Sequence, residues 1–214
     1  MGLSFGTTIG IKTITKTPQL YVAYIGVAQI VNQFESEKIA YQYMINEYTK
    51  NRNRNMVKKI TKFNLLETEH ISKDYYKFRD KPMHELGIGT MHNMKSVISG
   101  IFFPLMKNND YTLSERINIW KAKSELLNKT TLMEDAFETD FSTKFTEFEI
   151  PIYFFHGIYD YTVNYDITKE YYKTIKAPIK GFYTFYESAH SPIFEESEKL
   201  NNIIIKDILG GVWK

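Results

Sequence analysis

A chain of 214 residues with 43% hydrophobic and 24% charged residues has the composition of a folded protein, and its length suits one domain of ordinary size. A net charge of +2 is too small to mark a nucleic-acid binder, and the lack of cysteine excludes disulfides, thiolate metal sites and a cysteine nucleophile. No apolar run approaches the roughly 20 residues that cross a bilayer, and the N-terminus lacks the features of a secretory signal, so a soluble cytoplasmic protein is expected.

Three zones differ in texture. Residues 1–31 are apolar and weakly charged. They open on Gly2-Leu3-Ser4-Phe5-Gly6, a Gly-x-Ser-x-Gly pattern of the type that lifts a serine on a sharp strand-to-helix turn. After Pro18, "YVAYIGVAQIV" is β-branched and aromatic and reads as a buried strand.

Residues 32–148 carry more charge and read mostly as helices. "ESEKIAYQYMINEYTK" sets Ile39, Tyr43, Met44 and Glu47 at helical spacing. Glu35 and Glu37 come early, where the helix dipole favours acidic groups. They are ordinary surface charges or candidates to meet a substrate's amino group. "KNRNRNMVKK" is a solvated loop and helix start rather than a nucleic-acid patch. "LGIGTMHNMKSVISGIFFPLM" suits the lining of a cavity, and "TLSERINIWKAKSELL" is a helix with Ser114 as its expected N-cap.

Residues 149–214 alternate strand and helix. "IPIYFF" is a short buried strand, "HGIYDYTV" a turn, and "TVNYDITKEYYKTI" a helix with Ile167, Tyr171 and Ile175 on one face. "KGFYTF" is a second strand, "YESAHSP" a loop, and "IFEESEKLNNIIIKDIL" a final amphipathic helix carrying Leu200, Ile204 and Ile208. Short loops between strands and helices predict a parallel α/β sheet.

Asp160 follows the first of these strands and His190 the second. Ligands of open α/β sheets bind beyond the carboxyl ends of the strands, where both residues fall. With Ser4 they run in the chain order Ser, Asp, His. Taken singly, each has a plainer reading: Ser4 a turn, Asp160 a helix cap, His190 a loop histidine. His156 is expected to pack beside the turn, and His70, His84 and His92 show no metal-ligand spacing.

Together, "GLSFGT", "YIGVAQIV", "FFHGIYDYTV" and "SAHSP" resemble the α/β-hydrolase fold superfamily, and more narrowly its lidded, proline-iminopeptidase-like branch. The resemblance implies an α/β fold of parallel strands with flanking helices, corresponding to the C-terminal part of the hydrolase core. It makes residues 1–31 the elbow, its helix and the next strand, 32–148 a helical lid insertion, and 149–214 the end of the core with the acid and histidine loops. It also requires a helix through "TTIGIKTITK", although Thr and Ile favour a strand there by propensity.

By the same resemblance Ser4 is the nucleophile, His190 the general base, and Asp160 the group that orients it. The backbone N–H of Phe5 donates to the oxyanion, while Gly2 and Gly6 permit close approach of strand and helix. The implied activity is hydrolysis of an ester, amide or short peptide through an acyl-enzyme, with no cofactor and no metal. Partners are then a small-molecule or short-peptide substrate, without nucleic acid or membrane. In the family, strands and an oxyanion-hole loop precede the elbow, so the chain is expected to be truncated there. The strand near Tyr24–Val27 is then expected to be an exposed edge through which chains associate. The alternative reading is a non-catalytic remnant or binding module.

Overall fold

A computed structural model describes residues 1–129 and 139–210. The stretch 130–138 of the expected lid lies outside the described residues. Among the described residues, four strands form one parallel sheet in the order β1-β2-β3-β4: β1 Gly2–Leu3, β2 Tyr24–Val27, β3 Ile152–Gly157 and β4 Lys180–Phe185. Gly2 pairs with Gly26, Tyr24 with Ile152, and Ile152 with Lys180. Because every strand is parallel, all of their carboxyl ends share one edge of the sheet.

Every residue of β3 is buried, as expected for an inner strand covered on both faces. Its side chains alternate between two cores. Ile152 and Phe154 join Ile11 and Ile14 of helix α1 (Phe5–Lys16), together with Tyr171 and Ile175. Tyr153 and Phe155 join Phe185, Leu200 and Ile208 on the opposite face. Between β3 and β4 runs the helix Tyr165–Thr174, capped by Asn164, whose side chain accepts from the Ile167 N–H.

Helix α1 forms despite its β-branched composition. Thr7, Thr8, Ile11 and Ile14 fall on one buried face at helical spacing. Its threonines turn their hydroxyls onto the backbone of the preceding turn: Thr8 to Phe5 O, Thr13 to Ile9 O and Thr15 to Ile11 O.

The segment between β2 and β3 contributes α2 (Gln33–Lys50), α3 (Arg54–Thr61) and α4 (Lys73–Glu85), then α5 (Phe103–Lys107) and α6 (Leu113–Lys129). Helices α2, α3 and α4 build a third core from Ala40, Tyr41, Met44, Ile60, Tyr75 and Met83. The buried face of α2 is thus Gln33, Ser36, Glu37, Ala40, Tyr41, Met44 and Tyr48. Ile39 lies off that face and is 38% exposed.

Three further expectations change. Helix α6 is capped by Thr112 rather than Ser114, because Thr112 and Glu115 form a reciprocal box: Thr112 N–H donates to Glu115 Oε2, and Glu115 N–H to Thr112 Oγ1. The last helix breaks into Pro192–Glu195 and Ser197–Ile203, followed by a π-helical stretch at Ile204–Leu209. Strand β2 is not the sheet edge, since β1 pairs with it at Gly26 and Val27. Among the described residues, no helix is long and apolar enough to cross a membrane.

Candidate active site

Ser4 lies at the turn between β1 and α1 with φ 51° and ψ −122°. A non-glycine residue in that region is strained by roughly 1–3 kcal/mol and is held only by its surroundings. The restraints are visible here. Ser4 N–H donates to Val27 O at 2.9 Å, and Ser4 O accepts from both Thr7 N (2.8 Å) and Thr7 Oγ1 (2.6 Å). A Cβ at Gly2 would sit 2.7 Å from Gly6 O, so glycine is needed there for strand and helix to meet. Gly6 is a correction: a Cβ on it would have nothing within 4 Å, because what it brings to the contact is its carbonyl. Phe5 opens α1, so its N–H belongs to the first turn, whose amides lack acceptors within the helix.

Asp160 lies in the turn after β3 and His190 in the loop after β4. The shared strand edge brings both to Ser4. His190 Nε2 is 2.7 Å from Ser4 Oγ, and His190 Nδ1 is 2.9 Å from Asp160 Oδ2. When Nδ1–H donates to the carboxylate, Nε2 keeps the lone pair that accepts from the serine hydroxyl.

Asp160 is fully buried. Its Oδ1 accepts from Val163 N–H at 2.9 Å, and its Oδ2 lies 3.2 Å from His156 Nε2. Burial alone pushes the carboxyl up. The charge and hydrogen bonds of His190 and His156 outweigh that and hold it at about 2. His156 Nε2 also lies 2.9 Å from Val163 O, so this histidine grips the acid turn as well as the acid.

Sequence reasoning passed over other residues that shape the site. A Cβ at Gly157 would fall 2.1 Å from Ala189 O and 2.3 Å from Ser188 O, so only glycine lets the histidine loop cross the end of β3. The Glu195 carboxylate accepts from Ala189 N–H at 2.9 Å and from His92 N–H. Burial pushes that carboxyl up, against the pull of the His92, Ala189 and Ser191 amides. The "HG" immediately ahead of the acid turn was the available signal for Gly157, next to the His156 already expected beside that turn. Glu195 had none, because its partners come from distant parts of the chain.

The inter-strand segment reaches the same place. Tyr161 N–H donates to Ile88 O and His190 N–H to Gly89 O, both at 3.3 Å, while the His92 ring stacks on Tyr159 at 3.8 Å. Met91, Met94, Ser99 and Gly100 line a cleft of about 570 Å³ beside Glu187 and Glu195. Ile98, Phe102 and Phe103 of the same stretch are exposed and lie outside its lining, against the expectation that the stretch lines a cavity rather than facing water. That cleft does not include Ser4, Asp160 or His190 in its lining.

From α2, Gln33 Nε2 donates to Thr162 O at 2.7 Å, and Ser36 Oγ accepts from Asn164 N–H at 3.1 Å. The two early glutamates of α2 differ in surroundings. Glu35 is paired with Lys38 at 3.0 Å, and Glu37 is fully buried 3.1 Å from the Arg79 guanidinium. Burial pushes the Glu37 carboxyl up to about 7, with Arg79 and Gln33 opposing.

A parallel sheet with serine after its first strand, acid after its third and histidine after its fourth has the α/β-hydrolase fold. No family model matches the chain. It is similar to the probable aminopeptidase YbaC of Bacillus subtilis (strain 168), 24% identical over 203 residues, a match covering 95% of this chain and 62% of that protein. Among solved structures, Rv0554 from Mycobacterium tuberculosis aligns with a TM-score of 0.51 and 12% identity, over 98% of this chain and 64% of that one; the likeness is one of fold. MGS-M2, an α/β hydrolase enzyme from a Medee basin deep-sea metagenome library, aligns with a TM-score of 0.45 and 14% identity, over 98% and 63% of the two chains. The chain therefore spans less than two thirds of the length of these proteins.

Proposed function

We propose that this protein is a serine hydrolase of the α/β type, cleaving an ester, amide or short peptide through an acyl-enzyme. The observation that carries the reading is the unbroken chain Ser4 Oγ–His190 Nε2 (2.7 Å) and His190 Nδ1–Asp160 Oδ2 (2.9 Å). A serine hydroxyl hardly ionises near neutral pH and needs a base in contact with it. His190 takes the hydroxyl proton as Ser4 Oγ attacks the carbonyl carbon. The imidazolium formed is stabilised by Asp160, which stays ionised because its carboxyl is held at about 2.

The tetrahedral oxyanion accepts from the Phe5 N–H at the start of α1. His190 then gives the proton to the leaving alcohol or amine, and the same base activates the water that releases the acyl group. The relative in Bacillus subtilis bears the name of a probable aminopeptidase, which favours a short peptide among the three substrate classes. The α2–α6 segment acts as a lid over the strand edge, with its 88–92 stretch against both the acid turn and the histidine loop.

The test is covalent labelling. A fluorophosphonate reacts with an activated serine, and peptide mapping locates the adduct. Labelling at Ser4 that disappears in Ser4→Ala and falls in His190→Ala is the expected result. An intact, folded protein that takes no label at Ser4 overturns the assignment.

A further inference from the structure

We infer that Gln33 is a positioning residue for Asp160, acting from α2 through a single peptide group. Its place here rests on the reading of Asp160 as the partner of His190. The peptide joining Thr162 to Val163 is held on both sides. Its carbonyl accepts from Gln33 Nε2 at 2.7 Å, and its N–H donates to Asp160 Oδ1 at 2.9 Å. Hydrogen bonds arranged in series polarise one another, so a donor on the carbonyl strengthens the N–H on the far side. It also fixes the direction in which that N–H points.

The orientation of the Gln33 amide follows from its neighbours. Nε2 faces two acceptors, Thr162 O and Glu37 Oε1 (3.1 Å), and an amide offers two hydrogens for them. Glu37 is in turn held by Arg79 NH1 at 3.1 Å. All three side chains are almost fully buried, so water does not compete for these bonds. A continuous chain thus runs from Arg79 on α4, through Glu37 and Gln33 on α2, across the Thr162–Val163 peptide, to Asp160, His190 and Ser4. Nearby, Ser36 Oγ accepts from Asn164 N–H, so one face of α2 holds two successive points of the acid turn. The Gln33 contact differs from this neighbour in reaching the very peptide that bonds the carboxylate.

The experiment substitutes Gln33→Met, which keeps an unbranched side chain of similar length and removes the donor. Two readouts are taken at matched fold, checked by circular dichroism. The first is the proton NMR signal of His190 Nδ1–H, which reports the bond to Asp160 whether or not the protein is active. It is expected to move upfield and broaden in Gln33→Met. The second is Ser4 labelling by a fluorophosphonate, resolved into reversible affinity and covalent rate. The rate is expected to fall about tenfold with the affinity unchanged, on the scale of one lost hydrogen bond near a charged group.

Gln42→Met, an exposed change on the same helix, should alter neither readout. Gln33→Glu provides rescue and covers the case in which Gln33→Met fails to fold. Its protonated carboxyl can donate to Thr162 O, so the parental signal should return as the pH is lowered. An unchanged Nδ1 signal and labelling rate in a folded Gln33→Met protein overturns the inference. If the parent takes no label while the Nδ1 signal responds to Gln33→Met, the hydrolase reading fails and the positioning role stands.

Discussion

Replacing Asp160 by Asn tests the site most directly, because the carboxylate is used on both of its oxygens. Oδ1 accepts from Val163 N–H at 2.9 Å, while Oδ2 accepts from His190 Nδ1–H at 2.9 Å and faces His156 Nε2 at 3.2 Å. An amide has one acceptor oxygen and one donor nitrogen. If the oxygen stays on Val163, the NH₂ faces His190 and can bond only a bare Nδ1. The imidazole proton then moves to Nε2, where it points at Ser4 and cannot accept the hydroxyl proton. If the amide flips, its NH₂ opposes the Val163 N–H in a fully buried site.

The flipped form would keep the tautomer but set two donors against each other. Because the Val163 N–H cannot shed its proton whereas the imidazole can switch tautomer, the first arrangement is favoured and removes the base, with an expected loss of about 10⁴ in the covalent step. The buried mismatch should also lower stability by about 1–3 kcal/mol. Time-resolved fluorophosphonate labelling reads the first effect, and urea denaturation the second. A folded Asp160→Asn protein that labels Ser4 within about tenfold of the parental rate would refute the reasoning, since the tautomer argument requires a far larger drop.

Gly157 at the end of β3 and Gly6 of the elbow should respond in opposite directions to replacement by Ala. Gly157→Ala forces a methyl against Ala189 O and Ser188 O and should cost about 1–3 kcal/mol or more, read as a lower thermal midpoint. Gly6→Ala meets open space inside α1 and should be neutral or stabilising by about 0.5–1 kcal/mol. Glu37, facing Arg79, Gln33 and Asp80, has its carboxyl raised from 4.5 to about 7. Its contribution to stability is therefore full below 4.5 and lost as pH rises through 7, a fall that urea titrations should show in the parent and not in Glu37→Gln. Asp160 has the opposite sign: its contribution is present above 3.8 and lost as pH falls towards 2, which Asp160→Asn should remove. Glu195→Ala frees the Ala189 amide, so hydrogen exchange there should speed up while β3 amides keep their protection.

Much of the architecture was legible because it depends on local pattern. The apolar runs at Tyr24–Val27 and Ile152–Gly157, each followed by turn residues, predicted buried strands of a parallel sheet. The order Ser4, Asp160, His190 pointed to one strand edge, and these side chains do meet there. Helix α1 was legible only through the resemblance, since its Thr and Ile residues favour extended structure until the threonine hydroxyls find backbone partners. The cap of α6 was misread by two residues because a capping box depends on the Thr112–Glu115 pair rather than on the nearest serine.

The buried face of α2 was not legible, for a different reason. Helical spacing marked the segment as a helix, whereas the face that packs carries Gln33, Ser36 and Glu37, polar residues whose cost of burial is met by Thr162, Asn164 and Arg79. Those partners lie far away in the chain, and hydrophobic periodicity carries no information about them.

By itself, then, the sequence determined the strand and helix alternation, the absence of thiol chemistry, and the three residues whose order converges on one sheet edge. These follow from side-chain chemistry and from the geometry of any parallel sheet. The tertiary structure alone decided that His156 bears on the acid, that Gly157 lacks room for a side chain while Gly6 has it, and that α2 reaches the acid turn through Gln33. Each of those depends on through-space contacts between segments that the chain order does not bring together.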